Sequence, residues 1–391
     1  MSGMSALSDF QNEIYLNGLG DVRPALPTDL TRLEALAERR LSAESFGYIA
    51  GSAGVEATAR ANREAFDRWR IVPRMLRDVS IRDLSVDLFG QRLKSPVLLA
   101  PIGVQSIFHP DGELAVARAA AAENVPMVLS TAASHTIEEV AEASGEGPRW
   151  YQLYWPKDPD LAVSFLERAK ATGYTTLVVT LDTVTLAWRP RDLDAAYLPF
   201  LRAIGTANYF SDPVFQKAIG GPVTAENRTA AIMHWAANFS NPSLTWDDLA
   251  FLRGHWDGPI VLKGIQHPDD ARRAVDTGMD GVIVSNHGGR QVDGAVGSLD
   301  ALPGVARAVG DQTTVLFDSG IRTGADVVKA LSLGARAVLL GRPYGYGLAL
   351  AGETGVRHVL RCLQAETELT MTLAGVTRPD QLNMTNVTRH P

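Results

Sequence analysis

The feature that most constrains the fold of this 391-residue chain is a series of eight short apolar segments, each ending in a polar or glycine-rich stretch. Most of them are rich in Val, Leu and Ile and alternate little with polar residues, which is typical of parallel strands buried on both faces. The segments are 97–101, 127–130, 150–154, 176–182, 260–265, 281–287, 314–320 and 337–343. We therefore expect a largely parallel sheet.

Helical patterns lie between most of the apolar segments, with ordinary start and stop signals at 111–123, 158–172, 268–277 and 325–333. Eight strand-helix units predict an α/β fold of the (β/α)8 TIM barrel type. The alternative is a doubly wound open sheet, which would place a Gly-x-Gly-x-x-Gly turn after the first strand. The residues there are Pro-Ile-Gly-Val-Gln at 101–105, which do not match.

Three segments lie outside the regular barrel pattern. Residues 1–96 predict a helical cap in the same domain, with helices at 30–40 and 43–49 and a small hairpin at 81–93. The fourth and fifth strands are too far apart for one strand-helix unit, so the barrel at 97–375 should contain an insertion at about 189–245. Long insertions in compact domains are usually lids or disordered segments, and we favour a lid. Residues 376–391 would form a C-terminal tail.

Composition excludes several classes of protein. The formal net charge is -7, with no basic stripe, so we expect no nucleic acid partner. The apolar segments are too short to span a membrane, and Met1 to Met4 lack the pattern of a signal peptide. The single cysteine, Cys362, cannot form an intrachain disulfide. We expect a cytoplasmic protein and assign no metal ligands.

Polar side chains follow the predicted strands. Active sites of (β/α)8 barrels lie at the carboxyl ends of the strands. Hydrogen-bonding or charged groups at seven of these eight ends exceed what loop solvation explains, so we expect them to surround one cavity. The residues at the ends are Pro101, Gly103, Ser130, Gln152, Tyr154, Thr180, Asp182, Lys263, Ser285, His287, Arg290, Asp318, Gly320, Gly341 and Arg342.

The last two strand ends predict a phosphate site. Glycine-bearing turns with Arg322 and Arg342 follow the seventh and eighth strands, where barrels often bind phosphate through backbone N–H groups and a helix N-terminus. Arginine adds a bidentate donor for phosphate oxygens. The alternative is a pair of tight turns with surface arginines.

A second group of residues indicates acid-base chemistry. Arg290 is suited to hold a carboxylate while His287 removes a proton from a neighbouring atom, and Asp182 can pair with the imidazolium that forms. Lys263 ends an apolar strand, and three roles are open to it: a strand-end lysine exposed to solvent, a Schiff-base nucleophile, or a fixed charge beside an electron-accepting ring.

These motifs resemble the FMN-dependent L-2-hydroxy acid oxidases and dehydrogenases, from about Tyr48 to Gly375. Ser-Asn-His-Gly-Gly-Arg-Gln at 285–291 is similar to the family signature, and Tyr-Gln-Leu-Tyr at 151–154, Leu-Lys-Gly at 262–264 and Gly-Arg-Pro at 341–343 follow in the family's order. Trp-Arg-Pro-Arg-Asp at 188–192, the insertion and the segment 263–272 are most similar to the lactate 2-monooxygenase branch.

The resemblance implies FMN as cofactor and a role for each strand end. His287 would be the base, with Asp182 stabilising its protonated form, and Tyr154 would bind the substrate hydroxyl. Arg290, Arg189 and Tyr48 would hold the substrate carboxylate. Lys263 would stabilise negative charge on the reduced flavin. The implied cofactor-binding residues are Pro101, Ile102, Gly103, Ser130, Gln152, Thr180, Lys263, Ser285, Asp318, Ser319, Gly320, Arg322, Gly341 and Arg342.

The implied activity is oxidation of L-lactate with oxygen, the 2-oxo acid being retained and decarboxylated by peroxide to acetate, carbon dioxide and water. A plain oxidase that releases the 2-oxo acid and peroxide is the alternative. Gly103, where related oxidases usually carry alanine, bears on this choice, and Ala132 is smaller than its usual counterpart and predicts a wider pocket. A non-flavin lyase and a non-catalytic phosphate-ligand binder are further alternatives. We expect a homotetramer or homo-octamer.

Overall fold

The computed structural model describes residues 6–390, so Met1 to Met4 lie outside the described residues. Eight parallel strands form a closed barrel: β4 Val97–Leu99, β5 Met127–Ser130, β6 Arg149–Leu153, β7 Leu177–Thr180, β8 Ile260–Ile265, β9 Gly281–Val284, β10 Thr314–Phe317 and β11 Ala337–Leu340. Their order around the barrel is β10-β11-β4-β5-β6-β7-β8-β9. This confirms the predicted (β/α)8 barrel and excludes the doubly wound sheet.

The helices around the barrel begin and end as their local sequence dictates. For example, the helix Pro159–Ala171 begins with proline after Asp158, whose side chain accepts hydrogen bonds from the first turn. Helices are numbered in chain order, so the numbers α1 to α4 and α8 to α11 belong to the cap and the insertion. The helices that follow the barrel strands are α5 Gly112–Ala122, α6 Ile137–Ser144, α7 Pro159–Ala171, α12 Leu249–His255, α13 Pro268–Asp276, α14 Ser298–Val309, α15 Gly324–Ser332 and α16 Arg342–Leu373. The last is interrupted at Ala351 and Gly352, which have non-helical dihedral angles.

The amino-terminal end of the barrel is closed by a hairpin of β2 Val86–Leu88 and β3 Gln91–Leu93. The hairpin's apolar side chains pack with the inward-facing residues of the barrel strands in one buried cluster. Phe89 at the turn packs against Trp150 of β6, with ring centroids 5.6 Å apart. The hairpin therefore forms the floor of the barrel, and access to the interior is from the opposite end.

Between residue 6 and the barrel lie four α-helices: α1 Asp9–Gly18, α2 Leu33–Arg40, α3 Ala43–Ala50 and α4 Ala57–Asp67. Helices α2 and α3 occupy the segments in which helices were predicted. The segment interpreted as a tail contains β12 Val387–Arg389, which pairs antiparallel with β1 Trp69–Ile71. The two ends of the described chain are therefore joined beside the barrel.

The insertion between β7 and α12 contains four helices, α8 Pro190–Asp194, α9 Ala207–Phe210, α10 Pro213–Ala218 and α11 Arg228–Phe239. Its aromatic side chains pack together and join the main hydrophobic core of the protein. Phe200 and Phe239 both contact Trp235, each with ring centroids 4.8 Å apart. The insertion is thus a packed layer. Across residues 6–390, the chain has no helix with the length and apolar character needed to cross a bilayer.

Candidate active site

A cavity of about 1040 Å³ opens at the carboxyl ends of the barrel strands. Most of the residues predicted for the site, at the strand ends and elsewhere, line it. They are Tyr48, Pro101, Ile102, Gly103, Ser130, Tyr154, Arg189, Lys263, His287, Arg290, Asp318, Ser319, Gly320, Arg322, Gly341 and Arg342. Gln152, Thr180, Asp182 and Ser285 are not in its lining and lie behind it. Gln152, Asp182 and Ser285 each contact a lining residue, and Thr180 contacts Gln152.

His287 lies at one end of the cavity, directly after β9, and has a left-handed backbone conformation with φ of 58°. This conformation is uncommon for a residue with a side chain, although histidine adopts it more readily than most. Gly289 also has a positive φ, and a Cβ there would lie 2.6 Å from the backbone nitrogen of Ala59. Glycine is required at 289 because helix α4 packs so closely against this turn.

The imidazole of His287 is oriented by Asp182, which follows β7. Nδ1 of His287 lies 2.7 Å from Oδ1 of Asp182, and the Thr183 hydroxyl donates to the same carboxylate oxygen over 2.9 Å. With Nδ1 carrying the proton toward the carboxylate, Nε2 is left as the acceptor. Nε2 lies 3.5 Å from the Tyr154 hydroxyl at the cavity surface. The pair therefore presents a base toward the cavity.

Burial lowers the pKa of His287, and Lys263 and Arg189 act in the same direction against the opposing effect of Asp182. Burial alone would raise the pKa of Asp182, but the neighbouring positive charges and hydrogen bonds outweigh it and lower that pKa. The imidazole is therefore neutral and the carboxylate ionised near pH 7. This is the protonation state that a general base and its partner require.

Two arginines lie beside the imidazole. Arg189 immediately precedes α8, at the start of the insertion, and its Nε donates to the backbone oxygen of Arg290 over 3.0 Å. Arg290 donates to the Gly51 carbonyl over 2.7 Å and lies over the Tyr48 ring, 5.0 Å from its centroid. Within the described residues neither guanidinium forms an ion pair with a carboxylate. Burial and the charge of Arg290 lower the pKa of Arg189 to about 10. Both cations are thus available to an anionic ligand.

A buried polar edge runs along the wall formed by β5, β6 and β7. Gln152 accepts from the Ser130 hydroxyl over 3.1 Å and donates to the Thr180 hydroxyl over 2.9 Å. At the next strand Nζ of Lys263 donates to the Ser285 hydroxyl over 3.0 Å and lies 3.2 Å from the Asp318 carboxylate. This row is suited to the polar edge of a flat heteroaromatic ring.

Lys263 carries a fixed positive charge. Burial would lower its pKa, but the carboxylates of Asp318 and Asp182 outweigh burial and raise it. A Schiff-base nucleophile must be a neutral amine, which this setting disfavours. Among the three roles open to Lys263, the geometry fits the charge beside an electron-accepting ring.

The far end of the cavity carries Arg322 and Arg342, which follow β10 and β11. Arg342 donates to the carbonyls of Ile49, Gly288 and Gly51, and no carboxylate in the described chain pairs with either guanidinium. Burial and the mutual repulsion of the two arginines lower the pKa of Arg342 to about 10. A Cβ on Gly341 would meet only Ile102, at 4.0 Å, so the backbone is open to a ligand there. The donor set fits a phosphate group.

Gly103 and Ala132 meet at one side of the cavity. Gly103 does not have a positive φ, so turn geometry alone does not require glycine. A Cβ there would lie 2.8 Å from the Ala132 carbonyl oxygen and 3.1 Å from its Cβ. The absence of a methyl at 103 therefore permits the loops after β4 and β5 to approach each other, which is a different role from leaving open space in the cavity.

Several lining residues were not predicted from the sequence. Leu186, Phe200 and Phe239 reach the cavity from the connection between β7 and α12, and Thr183 lines it beside Asp182. Gln291 does not line the cavity but accepts from Arg189 over 2.7 Å. The aromatic residues carried no signal that distinguishes a cavity wall from a core. Thr183 follows Asp182 and Gln291 follows Arg290, and this adjacency to predicted site residues is the signal that could have identified them.

Comparisons with known proteins identify the family of this chain. A model of the family described as FMN-dependent dehydrogenase matches residues 37–389. An FMN-dependent alpha-hydroxy acid dehydrogenase of Penicillium citrinum is 52% identical over 94% of this chain and 92% of its own length. An L-lactate oxidase of Lysinibacillus sphaericus is 42% identical over 90% of each chain. A solved structure of mandelate oxidase superposes with a TM-score of 0.83, at 39% identity over 93% of this chain and 99% of that one.

Proposed function

The chain belongs to the FMN-dependent dehydrogenase family, whose members act on 2-hydroxy acids, and we propose that it oxidises L-lactate, or a similarly small L-2-hydroxy acid, with oxygen. We further propose that it retains the 2-oxo acid until this is decarboxylated, so that lactate and oxygen become acetate, carbon dioxide and water. The observation that carries the proposed oxidation is the Nδ1–Oδ1 distance of 2.7 Å between His287 and Asp182, beside two arginines that have no ion-pair partner among residues 6–390.

The cavity fits FMN along its whole length. The far end offers Arg322 and Arg342 to a phosphate, the middle offers Asp318 to a polyol chain, and the buried edge around Lys263 suits a polar ring. When bound, FMN accepts two electrons from the substrate α-carbon and passes them to oxygen.

The residues at the near end would bind and orient the substrate. Arg189 and Arg290 hold its carboxylate by charge-assisted hydrogen bonds, and the Tyr154 hydroxyl binds its 2-hydroxyl group. Nε2 of His287 takes a proton from the substrate, and the Asp182 carboxylate then stabilises the imidazolium through its hydrogen bond with Nδ1. Lys263 supplies positive charge where negative charge develops on the ring.

Retention of the 2-oxo acid is supported by the insertion. Phe200 and Phe239 line the cavity, and Trp235 of the insertion packs against both. Glycine at 205 lets the same segment pack closely against the barrel, since a Cβ there would lie 2.7 Å from Val104 and 3.0 Å from the Ala132 oxygen. A cover packed in this way slows product release and leaves time for a second reaction.

Product analysis tests the proposal. The purified holoenzyme would be turned over in air with L-lactate and with a panel of longer and aromatic L-2-hydroxy acids. We expect acetate and carbon dioxide from L-lactate, with little free peroxide. Equal amounts of pyruvate and hydrogen peroxide would instead establish the oxidase alternative, which the similarity to an L-lactate oxidase favours. A purified protein without flavin absorbance would overturn both.

A further inference from the structure

The side-chain amide of Gln291 connects three segments that meet at the substrate end of the cavity. Its Nε2 donates to the backbone oxygens of Asp182 over 2.8 Å and Thr185 over 3.1 Å, in the loop after β7. Its Oε1 accepts from Arg189 over 2.7 Å, at the start of the insertion. Gln291 itself follows Arg290 in the loop after β9. The Gln291 amide thus connects the loop that carries His287, the loop that carries Asp182 and the start of the insertion.

Only an amide satisfies these contacts. Each N–H meets one of two carbonyls, and the amide oxygen meets a cation, so all three functions of the group are used. A carboxylate of the same shape would accept from Arg189 but would repel both carbonyls, and an apolar side chain would satisfy none of the three.

The amide also holds Arg189 without neutralising it. Arg189 is only 8% exposed and meets two uncharged acceptors, the Gln291 oxygen and the Arg290 carbonyl. In the described chain no carboxylate pairs with it. A buried cation held in this way keeps its full charge for an incoming anion, whereas an ion pair would have to be broken first.

We infer that Gln291 is a positioning residue that aims the Arg189 guanidinium at the substrate carboxylate and couples it to the Asp182–His287 pair. The inference rests on the proposed function, in which Arg189 binds the carboxylate of a 2-hydroxy acid. Gln291 acts through Arg189 and the Asp182 backbone and does not touch the substrate. Its removal should therefore weaken carboxylate binding more than it slows the bound substrate.

The test measures pyruvate binding to the FMN-loaded enzyme by the change in flavin absorbance, together with kcat and KM for L-lactate. Gln291→Glu should weaken pyruvate binding and raise KM about 10- to 100-fold, the loss expected when a hydrogen bond to a charged group is replaced by a competing ion pair. Gln291→Met should have a smaller effect in the same direction, because it cannot compete for Arg189. The matched control is Gln266→Glu, since Gln266 donates only to the Val296 carbonyl and lies outside the cavity lining.

A double substitution separates positioning from a general structural role. If Gln291 acts through Arg189, adding Gln291→Glu to Arg189→Met should change pyruvate binding less than threefold, because the interaction is already lost. An undiminished effect of Gln291→Glu in the Arg189→Met enzyme would overturn the inference, as would unchanged pyruvate binding in both single variants at Gln291. Failure of the proposed 2-hydroxy acid oxidation is distinguishable, because the unsubstituted enzyme would then show no flavin reduction by any L-2-hydroxy acid. Release of pyruvate and peroxide would overturn only the retention step and would leave this test unaffected.

Discussion

The two ends of the barrel bury opposite kinds of side chain, apolar at the floor and charged at the mouth. The floor is closed by the β2–β3 hairpin, whose apolar side chains join the inward-facing strand residues in one buried cluster. The mouth holds four arginines without carboxylate partners in the described chain, beside the buried His287–Asp182 pair. Burying unpaired charge costs stability, whereas burying apolar area supplies it. The contrast indicates that folding depends on the floor and chemistry on the mouth, so substitutions at the two ends should affect different measurements.

The largest effect is expected at His287. His287→Gln removes the base, and kcat for a 2-hydroxy acid should fall about 100-fold or more, while FMN binding is kept because the phosphate end is unchanged. Stopped-flow measurement of flavin reduction checks this step directly. The matched control is His267→Gln, an exposed histidine outside the cavity lining, which should reduce the flavin at the normal rate. Reduction within tenfold of normal in His287→Gln would contradict the assignment.

The next effect concerns the phosphate end of the mouth. Arg342→Met removes donors predicted to bind phosphate, and the affinity for FMN should fall about 10- to 100-fold, the equivalent of about 1.5–3 kcal/mol for a hydrogen bond to a charged group. Titration of the apoprotein with FMN, followed by flavin fluorescence, measures this. Arg336→Met is a close control, because Arg336 precedes the same strand, β11, at the floor end and is exposed. Equal FMN affinity in the two variants would remove the proposed distinction between the ends.

The floor should respond in stability alone. Trp150 is fully buried against Phe89, so Trp150→Phe leaves a void and should lower the free energy of unfolding by about 1–3 kcal/mol. KM for the substrate should not change. Trp188→Phe makes the same substitution at a side chain that is 74% exposed and should cost less than about 0.5 kcal/mol. Denaturant unfolding of the two variant holoenzymes measures both losses. Equal losses in the free energy of unfolding would show that the floor contributes no more to stability than an exposed position does.

The fold was predictable because its signals are local. Each barrel strand is a short apolar segment, and Ile260–Ile265 has the predicted bounds because polar residues and glycine end the pattern sharply. The strand ends then placed most lining residues in one cavity, because parallel strands bring their carboxyl ends together. The absence of its glycine turn already disfavoured the doubly wound sheet, which the closed barrel then excluded.

What the sequence did not predict depends on contacts between distant segments. The β1–β12 pair joins residues more than 300 positions apart through three register pairs, and neither strand has a distinctive pattern. Phe200 and Phe239 reach the cavity only because the insertion folds back over the mouth. The role of Gly103 was also not visible from the sequence, since it depends on the approach of the Ala132 carbonyl from the neighbouring loop.

The smallest predicted effect concerns pH and is a test of the electrostatics of the mouth. His287 must be neutral to accept a proton, and kcat/KM reports ionisations of the free enzyme. Because burial, Lys263 and Arg189 lower the pKa of His287, the acidic limb of kcat/KM should have its midpoint below 6.5, the ordinary value for histidine. Above this midpoint the base is already neutral, so activity should stay constant up to about pH 10, where Arg189 loses the charge that binds the carboxylate. An acidic limb centred above 6.5 would show that Asp182 outweighs burial.

Asp182→Asn removes the group that raises the pKa of His287, so the acidic limb of kcat/KM should move to still lower pH even as kcat falls. A limb that moves to higher pH in this variant would contradict the direction of the Asp182 effect on His287.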